Sequence, residues 1–101
     1  MYMCFAEYRI MPEYRESFLA VSERLVAEEQ GRVRLYEGTD QPGLFVEVWE
    51  APSEEEAERV KEERLSGRSS WSELLPFISG GAAKLHVWTF RPVITGQGST
   101  D

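Results

Sequence analysis

The chain has 101 residues, 42% of them hydrophobic, with three Trp, four Tyr and five Phe, enough for one domain around a single core. A formal charge of −7 and a pI near 4.8 argue against a nucleic-acid or anionic-membrane partner, since both demand a basic patch. No apolar run reaches the roughly 20 residues of a membrane span, no charged-then-apolar leader opens the chain, and a single cysteine, Cys4, fits a reducing compartment, so the expected location is cytoplasmic.

Residues 1–10 alternate like a strand, with Tyr2, Cys4, Ala6 and Tyr8 on one face and Met3, Phe5, Glu7 and Arg9 on the other. Pro12 then suits a first helical turn, and Tyr14, Phe18, Val21 and Leu25 make one apolar helical stripe that Gly31 stops. The runs RVRLYEG and LFVEVWE flank TDQPG, whose Pro42-Gly43 marks the turn of an antiparallel hairpin. A second helix follows over 52–67. Ser53 and Glu56 have capping-box spacing, Gly67 ends it, and Glu55–Arg59 and Arg59–Glu63 are i,i+4 pairs. SSWSELLPFISGG reads as a short extra helical segment, with Ser70 and Glu73 at capping-box spacing and Pro76 and Gly80-Gly81 limiting its length. The last strand is AKLHVWTF, residues 83–90, and it holds the only histidine, His86. Residues 1–92 are thus one domain and 93–101 a polar tail.

The order β-α-β-β-α-β predicts an α+β, ferredoxin-like fold: a four-stranded antiparallel sheet, first and third strands central, with both helices on one face. Val33, Leu35, Leu44, Val46, Val48, Leu85 and Val87 are expected under the helices. Phe5, Glu7, Tyr36, Phe45, Glu47, Trp49, His86, Trp88 and Phe90 are expected on the other face. Five of these are Phe or Trp, each able to bury about 150–250 Å², more than a monomer ordinarily exposes in one patch. A second copy covering that face, a homodimer of two sheets face to face, is the economical solution.

Gly31 followed by Tyr36-Glu37, FVEVWE before an acidic helix, and WSELLPFISGG before the last strand resemble the dimeric α+β barrel superfamily, in particular the antibiotic-biosynthesis-monooxygenase type, over roughly residues 2 to 92. The resemblance implies a homodimeric barrel with an interior cavity. It also implies activities that range from cofactor-independent oxygenation to haem degradation and isomerisation. Haem-degrading relatives use an Asn in the first strand together with a Trp and a His; this chain contains no Asn, so no cofactor is expected.

His86 is a candidate general base, imidazole being the side chain suited to proton transfer near neutral pH, and Glu7 or Glu47 on a shared sheet face would orient it. The same histidine also reads, and more simply, as a packed interface residue bonded to a Glu or to backbone. Phe5, Tyr36, Phe45, Trp49, Trp88 and Phe90 are the candidate walls of a site for a small aromatic or apolar ligand, or else the dimer core. Trp71 caps the mouth of such a cavity or covers the core. Arg9, Arg34 and Lys84 are candidate ion-pair partners for Glu7 and Glu47. Cys4 reads as a small buried thiol, and one His and one Cys on opposite faces make no metal set. The expected function is binding or oxygenation of a small aromatic molecule. The competing class is a non-catalytic dimer acting as a ligand-binding, stress-related or structural protein.

Overall fold

A computed structural model describes residues 1–96. Strand β1 (Tyr2–Arg9) leads through a 3-10 turn (Pro12–Tyr14) into helix α1 (Arg15–Glu28). Strands β2 (Val33–Glu37) and β3 (Leu44–Ala51) form the hairpin, helix α2 (Glu54–Ser66) follows, and 3-10 segments at Ser70–Phe77 and Gly81–Lys84 precede strand β4 (His86–Phe90). The sheet order is β2-β3-β1-β4, all antiparallel, with β1 and β3 central, as the ferredoxin-like reading requires. Of the expected tail 93–101, residues 97–101 lie outside the described residues; Val93 and Ile94 are exposed.

The registers assign every side chain to a face, because directly paired residues of an antiparallel ladder share one. Under the helices lie the rows Val33–Trp49–Cys4–Thr89, Leu35–Glu47–Ala6–Val87 and Glu37–Phe45–Tyr8. On the open face lie Tyr36–Val46–Glu7–His86, Arg34–Val48–Phe5–Trp88 and Glu50–Met3–Phe90. The expected faces of β1, β2 and β4 hold. That of β3 is reversed: Phe45, Glu47 and Trp49 are buried beneath the helices, while Leu44, Val46 and Val48 face outward. Volume explains the reversal. The inner face of β1 offers the small side chains of Cys4 and Ala6, and the larger Trp49 and Glu47 beside them fill the space they leave.

In α1, Phe18 and Leu25 are buried as expected and Val21 packs partly buried against the core, whereas Tyr14 is 40% exposed and Ser22 is buried in addition. Phe18 packs against Phe45 and Tyr8 at ring-centroid distances of 4.6 and 6.0 Å. Helix α2 starts as its capping box requires, with the Glu56 N–H donating to Ser53 Oγ at 3.2 Å, and stops at Gly67, whose φ of 75° suits a residue without Cβ. Its surface ion pair is Glu56–Arg59 at 3.0 Å rather than the i,i+4 pairs expected. Ser69, not Ser70, caps the next segment, accepting from the Trp71 N–H at 3.2 Å.

Candidate ligand site on the open sheet face

Ala57, Val60 and Arg64 are the buried residues of α2, so its apolar stripe ends in an arginine. A guanidinium there needs a buried anion, and Glu47 supplies it. Arg64 Nε and Nη2 donate to Glu47 Oε1 and Oε2, each at 2.8 Å. Tyr8 Oη donates to Oε2 at 2.5 Å, and Trp49 Nε1 to Oε1 at 2.9 Å. The carboxylate is fully buried and receives four hydrogen bonds. Burial and the neighbouring Glu47 charge push the Tyr8 phenol well above its ordinary range. Burial pulls the other way on Arg64, but the hydrogen bonds to Glu47 win and its pKa rises. Cys4, beneath the same helix, is pushed up to about 12 by burial and then by Glu47, which makes it an inert thiol. Trp71 lies here too, 2% exposed, edge-on to Trp49 at 5.0 Å with its Nε1 donating to Glu29 at 3.0 Å. It covers the core and caps no opening on the other face.

Four of the residues singled out in the sequence therefore stand away from the open face: Phe45, Glu47, Trp49 and Trp71. The remaining six are brought together on it. Glu7 sits directly opposite His86 in the β1–β4 ladder, and Phe5 opposite Trp88. Directly paired residues have Cβ atoms about 4.5–5.5 Å apart, within reach of a carboxylate and an imidazole. Tyr36, Trp88 and Phe90 are 54%, 46% and 49% exposed. Phe5 and Phe90 are tilted together at 5.0 Å, and His86 stacks on Trp88 at 6.0 Å with the rings 23° apart. Together these exposed rings form an apolar patch of the kind that marks an interaction surface.

At the Glu7–His86 end of this face is a cleft of about 410 Å³. Glu7, Arg9, Leu44 and His86 line it from the sheet, Gln41 from the β2–β3 turn, and Ser79, Gly80 and Lys84 from the chain entering β4. Arg9 and Lys84 were expected only as ion-pair partners of the carboxylates and Leu44 under the helices; Gln41, Ser79 and Gly80 were not expected at a site. Gln41, Ser79 and Gly80 gave little signal in the sequence, because turns and pre-strand segments show no periodicity that assigns them to a face. Of the proposed partners for the carboxylates, Arg34 pairs instead with Glu50 at 3.0 Å. Among the described residues Glu7 and His86 have no side-chain hydrogen bond, and no group of three or more His, Cys, Asp or Glu is placed to hold a metal ion. No helix is long and apolar enough to cross a membrane.

No protein-family model matches the sequence, and no curated protein matches it. Solved structures do resemble it. One of an antibiotic biosynthesis monooxygenase is 21% identical, with 93% of this chain and 100% of that one covered at a TM-score of 0.66. A candidate enzyme of the same name from Deinococcus radiodurans is 10% identical, with 94% and 95% covered at 0.71. A NIPSNAP family protein from Agrobacterium tumefaciens is 14% identical, with 91% and 85% covered at 0.61. At these identities the likeness is one of architecture: the chain has the ferredoxin-like α+β fold seen in structures of the antibiotic biosynthesis monooxygenase type.

Proposed function

We propose that this protein binds a small aromatic molecule on its open sheet face, enclosed by a second copy of the chain, and oxygenates it after proton abstraction by His86. The observation that carries this reading is the direct pairing of Glu7 with His86 beside exposed aromatic rings. An imidazole whose proton balance is supported by a neighbouring carboxylate is a suitable base at neutral pH. An electron-rich ring system such as anthrone loses an acidic C–H proton to His86. The resulting carbanion gives one electron to dioxygen, and recombination forms a hydroperoxide. Loss of water then leaves the quinone, so anthrone and O₂ become anthraquinone and H₂O. Phe5, Trp88, Phe90 and Tyr36 hold the ring, and a dry interior between two sheets favours the uncharged product.

The test is oxygen uptake with anthrone, with sedimentation run beside it. The wild-type chain should sediment as a dimer at micromolar concentration and consume oxygen. His86→Ala should lower the rate by about 10² or more, the usual contribution of a general base, and Glu7→Gln by less, with both variants still dimeric. Full activity in His86→Ala overturns the assignment of the base. A dimer that consumes no oxygen favours the non-catalytic reading of the same face, and a stable monomer removes the enclosed site.

A further inference from the structure

The open-face cleft is electrically at odds with the rest of the molecule. The chain carries 18 carboxylates against 11 Lys and Arg. Arg15, Arg24, Arg32, Arg34, Arg59 and Arg64 are each in an ion pair. Arg9, Lys61, Arg68, Lys84 and Arg91 have no carboxylate partner among the described residues. Two of these five, Arg9 and Lys84, line this one cleft together with His86. Against them stands a single carboxylate, Glu7, whose directly paired neighbour is His86. In an acidic protein, unpaired cations gathered in a concave site raise the local concentration of anions.

The two cations are also held in place. Arg9 Nη2 donates to Gln41 Oε1 at 2.7 Å, a neutral partner that steadies the guanidinium without cancelling its charge. The Lys84 stem lies against Gly80: a Cβ built on Gly80 would come within 2.4 Å of Lys84 Cγ, and the φ of +85° there is one that side chains resist. Glycine at 80 thus gives the lysine its path along the cleft wall.

We propose that the cleft takes an aryl carboxylate, with Arg9 and Lys84 gripping the anion and the ring lying along His86, Trp88 and Phe5. This rests on the reading of the open face as an aromatic-ligand site, and it names the class of molecule. Arginine supplies a planar fork that matches a carboxylate, and lysine a point charge. The anion anchored at one end sets the ring's position relative to His86.

Calorimetric titration of the full chain with 2-naphthoate and with neutral 2-naphthalenemethanol tests it. The acid should bind about tenfold or more tightly than the alcohol, an advantage that shrinks in about 0.5 M salt. In the Arg9→Gln/Lys84→Gln variant the advantage should vanish, while the alcohol keeps its wild-type Kd within about twofold. Both side chains are exposed, so folding is spared, which circular dichroism checks. Equal Kd values for acid and alcohol in the wild type, or an advantage that survives the double variant, overturn the anion site and leave the aromatic site standing. Binding of neither molecule overturns both.

Discussion

Glu7 and Glu47 lie on neighbouring central strands of one sheet and face opposite ways, and their surroundings could hardly differ more. Glu47 points under the helices, is fully buried and receives four hydrogen bonds from Tyr8, Trp49 and Arg64. Glu7 points to the open face, opposite His86, with no side-chain hydrogen bond among the described residues. A carboxylate whose lone pairs are all occupied is part of the scaffold, since moving a proton onto it would break the network. One left open beside an imidazole, in a cleft, has lone pairs to offer a ligand. Glu37 stands between them: on the surface, yet held by Arg15 at 2.6 and 2.7 Å and by the Gly43 N–H at 2.9 Å.

The sharpest way to break the comparison is to neutralise each of the two glutamates in turn. Glu47→Gln keeps the shape but leaves Arg64 as an uncompensated buried charge. It should cost about 3–5 kcal/mol in urea unfolding, whereas Glu7→Gln should stay within about 0.5 kcal/mol. The double variant Glu47→Gln/Arg64→Met removes the orphaned cation and should recover most of the loss, because a buried pair replaced as a unit is often nearly neutral. Equal costs for the two single variants would mean that the hydrogen bonds around Glu47 contribute little.

The β1, β2 and β4 faces were legible because each alternates: Cys4, Ala6, Tyr8, Val33, Leu35 and Val87 on one side, and Phe5, Glu7, Tyr36, His86 and Trp88 on the other. Strand β3 was not, because both parities are apolar: Leu44, Val46 and Val48 against Phe45 and Trp49. Glu47 on the aromatic parity made that face look like the wet one. What decides the matter is long-range. Cys4 and Ala6 leave room on the inner side, and Arg64, seven residues after Ala57 on the buried stripe of α2, demands an anion beneath the helix. An arginine on an otherwise apolar helical stripe was the readable sign that an inward carboxylate exists. Strand order and alternation put Glu7, Arg9 and His86 on one face of adjacent strands, but the direct Glu7–His86 pairing depends on a register, and the places of Gln41 and Lys84 on loop geometry, that no periodicity encodes.

Raising the pH probes the buried side of the comparison next. The folded chain holds the Cys4 proton up to about pH 12, whereas an exposed thiol gives it up near 9.0. Tyr8 is shifted in the same direction from 10.0. Protonation of both in the folded state means that stability is full below pH 9 and falls as pH climbs from 9 towards 12, since the unfolded chain ionises first. The urea midpoint should therefore drop between pH 8 and pH 10.5. Cys4→Ala should shrink that drop and leave the Tyr8 share, visible above pH 10. A midpoint that stays flat over this range would show that the thiol and phenol are not held protonated by the fold.

The smallest effect belongs to Glu37, and it sharpens the distinction between being paired and being buried. Hydrogen bonds from Arg15, then that from the Gly43 N–H, bring its pKa down to about 2 from an ordinary 4.5. A depressed carboxylate adds stability above pH 4.5 and loses it as pH falls from 4.5 towards 2. Yet the Arg15 and Glu37 side chains are 46% and 26% exposed, so solvent and salt screen the attraction. Glu37→Gln should lower the urea midpoint slightly at pH 7 and match the wild type near pH 2. In about 1 M salt, where the screening length is roughly 3 Å, its deficit at pH 7 should shrink. The deficit of Glu47→Gln, with no solvent around Arg64, should survive that salt. If both deficits shrink alike, burial is not what separates the two pairs, and the contrast between the two sheet faces would have to rest on hydrogen-bond count alone.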